Sequence, residues 1–159
     1  MDRKGLVVVF IQLAISVIIY NFFGVVVGTF VETIFMLGKY DLMAFVSTAE
    51  PVKARAFYEE KLGLDVLASD DYGVMYDVNG RRLRMSYVQE LKPAPYSILC
   101  WVVPDIRAAI AALVLKEVVF EQYEGFGQDK AGVWAAPDGT LVAWFKDPGG
   151  NVLSLAQFS

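Results

Sequence analysis

Histidine is absent from all 159 residues. That absence removes Ser-His-Asp and Cys-His nucleophile pairs, histidine general bases and every histidine-containing metal site. Cysteine occurs once, at Cys100, so no disulfide can form within the chain. Between Leu99 and Trp101 it reads as a small buried hydrophobe of a strand, and no histidine is available to raise its thiolate fraction. Basic clusters are missing too. From Tyr40 onward 11 Lys and Arg stand against 16 Asp and Glu, a net charge of −5. This balance argues against nucleic acid as a partner, since phosphate binding needs a positive surface.

Charge of either sign is lacking over residues 5–31, where only Gln12, Ser16 and Asn21 interrupt a run rich in Val, Ile, Leu and Phe beyond small and hydroxyl residues. About 20 apolar helical residues span a bilayer core, so the sequence predicts a transmembrane helix within residues 1–38. Gly24 and Gly28 form a Gly-xxx-Gly pair, a helix-packing pattern that lets two membrane helices approach closely. Through residues 5–37 the expected partners are membrane lipid and other membrane subunits. Arg3-Lys4 resembles the charged start of a signal peptide, but the apolar run is too long for one and no small-x-small cleavage site follows. A strand pair, suggested by the Val and Ile content, would leave backbone groups unsatisfied in lipid. The expectation is a single-pass membrane protein. Asp2 offsets part of Arg3-Lys4, and Lys39, Lys53 and Arg55 follow the run, so the side of the following domain stays open.

What remains, residues 41–159, alternates short strand patterns with two helical ones. Strands are expected at 42–48, 64–69, 74–78 and 82–88, with a helix at 52–62 begun by Pro51 and ended by Gly63. Asn79-Gly80 is a two-residue hairpin signal. Pro93 and Pro95 mark a linker at 89–96. Beyond it the order repeats: strand 97–103, helix 105–116, strand 118–123, a loop and a short strand at 133–136, then strands 140–146 and 152–158. Module one thus covers 41–88 and module two 97–159. Asp147-Pro148-Gly149-Gly150-Asn151 precedes the last strand as dense turn chemistry, and Asp77-Val78-Asn79-Gly80 is its looser copy in module one. The fold class is α+β, as paired βαβββ modules.

Several segments together resemble a known family. These are Met43-Ala44-Phe45-Val46-Ser47-Thr48, Ala54-Arg55-Ala56-Phe57-Tyr58-Glu59-Glu60-Lys61-Leu62-Gly63-Leu64, Trp101-Val102-Val103-Pro104-Asp105-Ile106 and Lys146-Asp147-Pro148-Gly149-Gly150-Asn151. In order and spacing they are similar to the vicinal oxygen chelate superfamily, the glyoxalase/bleomycin-resistance/dioxygenase proteins. The resemblance implies two cupped sheets enclosing a site, frequent pairing into homodimers, and metal ligands on the first and last strand of each module. The positions matching those ligands are Met43, Arg84, Ile98 and Ser154; Ser154 replaces the glutamate of a Gly-Asn-x-x-Glu-Leu pattern.

A thioether, a guanidinium, an alkyl group and a hydroxyl do not make a site for a hard divalent ion. No cofactor or metal is therefore expected. The reading is a binding module without catalysis, in which Arg84 and Ser154 offer polar contacts among Met43, Ile98 and Trp101 to a small anionic or aromatic molecule. Alternatively Arg84 pairs with an acid such as Asp77 or Glu121 and side chains fill the cup. Trp134, Trp144, Tyr76 and Tyr87 are further stacking candidates or else core aromatics. A structural subunit of a membrane complex is the competing function, and a metal-free lyase or isomerase using Arg84 as oxyanion stabiliser is the third; no general base accompanies it.

Overall fold

The computed structural model describes residues 37–159. The predicted membrane helix and the Gly24/Gly28 pair lie outside the described residues. Of the leading segment the end is seen, a 3-10 turn at Leu37–Lys39. Among the described residues no helix is long and apolar enough to cross a membrane.

The unit from Leu42 to Ser159 repeats one order of elements twice. Module one holds β1 (Ala44–Thr48), α1 (Pro51–Ala56, prolonged by a π-helical turn at Phe57–Lys61), β2 (Asp65–Asp70), β3 (Gly73–Val78) and β4 (Arg81–Tyr87). Module two holds β5 (Leu99–Val102), α2 (Ile106–Leu115), β6 (Trp134–Ala135), β7 (Leu141–Lys146) and β8 (Val152–Gln157). Each module makes one four-stranded sheet, ordered β1-β4-β3-β2 and β5-β8-β7-β6. In both, the first strand runs parallel to the last while the remaining pairs are antiparallel.

Local chemistry accounts for the element ends. Pro51 opens α1 at a position whose N–H would have no helical partner. Asp105 caps α2 by accepting the Arg107 and Ala108 N–H groups at 2.9 and 3.0 Å. Asn79 and Gly80, at φ 51° and 78°, supply the left-handed pair that a type I′ hairpin turn requires.

Period-two alternation sends Val46, Val74, Tyr76, Leu83 and Met85 of the first sheet, and Ala143, Phe145, Leu153 and Leu155 of the second, into one buried cluster with Phe57, Tyr58, Ile106 and Ile110 of the helical segments. The cluster is shared by both modules. Phe57, on the helix of module one, lies 6.4 Å in ring centroid from Phe145 of module two, and Tyr58 stacks on Tyr76 at 6.0 Å.

The Asp147–Asn151 turn is the polar join between the halves. Buried Asp147 accepts the Tyr58 hydroxyl at 2.9 Å, the Asn151 side-chain amide at 2.8 Å and the Asn151 N–H at 2.9 Å. The same Asn151 amide donates to the Ser47 carbonyl of β1 at 2.9 Å. Burial and the Asp147 carboxylate together push the Tyr58 phenol far above its ordinary value, so it stays a donor. Turn chemistry visible in the sequence thus proves to be the fastener of the two modules.

Two expectations need correction. The strand expected at 118–123 is reduced to one bridge, Phe120 opposite Phe145, and a hydrogen bond from Glu121 N–H to the Trp144 carbonyl at 2.7 Å. The outer edge of β7 is therefore shared: β6 covers Leu141 and Val142, while Phe120 and Glu121 cover its far end. Cys100 is exposed, not buried, because alternation along β5 turns it away from the core side occupied by Leu99 and Trp101.

Candidate functional site

The strand pattern buries one face of each sheet in the core and sets the alternate side chains on the opposite face, although β8 of the second sheet is buried on both sides. On the first sheet the register aligns Phe45, Arg84 and Met75 across β1, β4 and β3. On the second it aligns Cys100, Ser154 and Trp144 across β5, β8 and β7. Arg84 and Ser154 are therefore equivalent positions of the two modules. Met43 and Ile98 stand two residues before the equivalent pair Phe45 and Cys100, just ahead of the strands, where strand parity no longer sets their direction.

Trp101 does not join this face. Its row is Trp101, Leu155 and Ala143, and its ring lies 6.4 Å from Phe145 in the helix-covered core. Ile98, just ahead of β5, packs against the same core. Tyr76 and Tyr87 also pack with the core.

Arg84 is paired with Asp70 at the end of β2. One guanidinium nitrogen donates to both carboxylate oxygens, at 2.7 and 3.0 Å. That contact, with the Tyr72 N–H behind it, holds Asp70 below the usual carboxylate range. The acids that the sequence offered to Arg84 are engaged elsewhere: Asp77 accepts the Gly80 N–H, and Glu121 pairs with Lys146. Asp70 comes within reach because a β-bulge between Val66 and Ala68 shifts the register of β2 and brings its last residue opposite Gly73. Ser154 is only 3% exposed, and its hydroxyl lies 2.8 Å from that of Ser97. Arg84 and Ser154 thus have separate partners.

A second group of side chains on that opposite face is aromatic. Trp134 and Val142 are register partners, and Trp144 follows Val142 at the strand period, so both indoles leave the sheet on the side of Ser154. Their centroids are 6.1 Å apart with planes 34° from parallel. The segment between Gln122 and Val133, which splits the outer strand, brings Tyr123 and Phe126 against them: Phe126 lies 5.7 Å from Trp144 and 6.0 Å from Trp134, nearly perpendicular to both. Tyr123 meets Trp144 edge to face at 5.8 Å.

Side chains hold the base of this loop. Gln128 accepts the Tyr123 N–H at 2.6 Å and donates to the Glu121 and Gly132 carbonyls at 3.0 and 2.6 Å, doing for the split strand what a neighbouring backbone would do. Asp129 accepts the Ala131 and Val133 N–H groups and pairs with Arg107 of α2. Those contacts, the Val133 N–H foremost, hold Asp129 below the usual carboxylate range. Periodicity cannot see a glutamine that replaces a strand; the Gly125-Phe126-Gly127 tip was the available signal.

Met43, Arg84, Ile98 and Ser154 offer a thioether, a guanidinium, an alkyl group and a hydroxyl, which do not make a site for a hard divalent ion. Among the described residues no group of three or more Cys, Asp or Glu stands together as a ligand set.

No protein-family model matches the chain, and no curated protein matches it. Solved structures do. Lactoylglutathione lyase from Agrobacterium tumefaciens aligns over 74% of this chain and 92% of its own, at 15% identity and TM-score 0.59. The fold is that of the glyoxalase/bleomycin-resistance proteins. A glyoxalase/bleomycin resistance protein/dioxygenase from Alicyclobacillus acidocaldarius covers 75% and 91% of the two chains at 14% identity and TM-score 0.55. The antibiotic-binding protein TnmS3 from Streptomyces sp. CB03234 covers 76% and 96% at 23% identity and TM-score 0.55. The similarity to this glyoxalase-type fold covers about the extent of the two βαβββ modules.

Proposed function

We propose that residues 41–159 form a metal-free binding module for a small molecule, without catalysis, tethered to a membrane by residues 5–37. The observation that carries this reading is the pair of register-equivalent positions of the two modules, a guanidinium at Arg84 and a buried hydroxyl at Ser154, where the family pattern calls for metal ligands. Arg84 can exchange Asp70 for an anionic group at little cost, because Asp70 is solvent-exposed and water competes for the pair. Met43, which is partly exposed, and the nearby indoles supply apolar surface, and Ile98 lines the core behind them. The antibiotic-binding role of TnmS3 lends the reading support from a protein of like fold.

The test is native mass spectrometry and metal analysis of the full chain extracted in detergent. The expected result is a monomer or homodimer that carries a small organic molecule and no stoichiometric metal. Retention of one Ni, Zn, Mn or Fe per chain, with isomerase or oxygenase activity, overturns it. A second reading, an accessory subunit of a membrane complex, draws on the uncharged run over residues 5–31 with Gly24, Gly28 and three polar side chains. Co-purification of a stable assembly favours it.

A further inference from the structure

The helices of the two modules differ on the side turned away from the core. In α1 and its π-helical turn that side is charged, with Lys53 paired to Glu50 and Arg55 to Glu59. In α2 it is an apolar stripe. Ile106, Ala109, Ile110 and Leu113, at the i, i+3, i+4, i+7 spacing, pack in or against the core. Ala108, Ala111, Ala112 and Leu115 repeat the same spacing on the other side, and all four are exposed. The one charged side chain of the helix, Arg107, is taken by Asp129. Apolar residues on both sides are the pattern of a helix covered on both sides, and the outer stripe of α2 has no cover among the described residues.

Polar contacts fix where this stripe ends. Lys116 donates to the Glu60 carbonyl at 3.0 Å and Lys61 pairs with Glu117 at 3.5 Å, so α2 finishes beside the finish of the module-one helical segment. Soon after Lys61, Asp65 opens β2 opposite Asp77; Asp77 faces Arg82, and the next residue, Leu83, pairs with Ala44 at the start of β1. The bulky end of the stripe is therefore at the end of the unit where the chain enters. The two most exposed leucines of the unit, Leu42 and Leu115 at 87% and 86%, both stand there, with Val119 at 76%. Residues 5–31, ahead of this entry, hold no charge, and the link from residue 37 to Leu42 reaches at most about 18 Å when extended. A bilayer that holds the uncharged run passes close to this end of the unit. We propose that the stripe of Ala108, Ala111, Ala112 and Leu115, with Val119, rests in the interfacial layer of that bilayer, its apolar side chains below the headgroups. This rests on the membrane tether proposed above and goes beyond it by giving the domain one attitude to the lipid surface. Glu117, the acid at the margin of the stripe, is paired with Lys61.

The experiment reconstitutes the full chain in phosphatidylcholine vesicles, whose zwitterionic surface suits an acidic domain. In a Cys100→Ser background one fluorophore is placed on Leu115→Cys, or on Val52→Cys as an equally exposed apolar control on α1. The vesicles are floated on a density gradient, and quenching by a lipid carrying a nitroxide just below its headgroup is read. The expected result is that both chains float and that the label at position 115 is quenched about twofold or more relative to the label at position 52. Ala111→Asp with Ala112→Asp should abolish that difference while flotation persists. Should Leu115→Cys fail to fold, judged by near-ultraviolet circular dichroism, Val119→Cys carries the label. Floating chains with equal quenching at the two positions overturn the docked stripe and leave the tether intact. A chain that does not float overturns the tether and the stripe with it. Unlabelled Leu115→Cys chains that oxidise to a dimer in the vesicles, while the labelled form escapes the quencher, also overturn it and make the stripe a contact between copies.

Discussion

Asp147 and Tyr58 show how one buried carboxylate can serve as structure instead of chemistry. Three hydrogen bonds from Tyr58 and Asn151 engage both oxygens of buried Asp147, so the carboxylate is committed to the turn. Asp147→Ala strands a phenol and an amide in the interior and is expected to cost about 3 kcal/mol, whereas Tyr58→Phe costs about 1–2 kcal/mol because Asn151 still serves the acid. Urea unfolding midpoints at unchanged slope check both. Asp70 makes a different prediction. Its folded carboxyl sits below its unfolded value, so the Arg84 contact contributes stability above about pH 4 and loses it as pH falls through the lower folded value. Stability curves from pH 6 to pH 2 should therefore drop less steeply for Asp70→Asn than for the unaltered chain.

At the scale of elements, the second strand of each module tells the two halves apart. In module one β2 is continuous apart from a bulge; in module two its counterpart is interrupted by residues 122–133 and stitched by Gln128. Gln128→Ala removes all three stitches, so it is expected to cost about 2–3 kcal/mol and to flatten the near-ultraviolet signal of Trp134 and Trp144 as Phe126 and Tyr123 drift from them. Alternation made most strands legible in the sequence, and turn residues such as Asn79-Gly80 and Asp105 marked their ends. The interruption was not legible, since Val118, Val119 and Phe120 carry the β propensity of an unbroken strand and the break is made by a side chain. Trp101 and Cys100 could have been placed by the alternation of β5 from Leu99. Arg84 reaches Asp70 through the bulge in β2, which no local pattern announces.

For the whole molecule, the shared core decides cooperativity. Phe57 of the first half packs on Phe145 of the second, and the Asp147 turn binds Tyr58 and the Ser47 carbonyl, so neither half closes its own interior. Thermal unfolding followed by tyrosine and by tryptophan signals should give one coincident transition, not two. Two separated steps would mean that the modules fold independently.

The parallel pairing of first with last strand in each half has a consequence for synthesis. As the nascent chain leaves the ribosome, β5 has no neighbour until β8 follows it some fifty residues later, and Ser47 waits for Asn151, 104 positions downstream. Closure is consequently a late event, and until then the apolar flank of the early sheet is a temptation to stray neighbours that only the final segment removes.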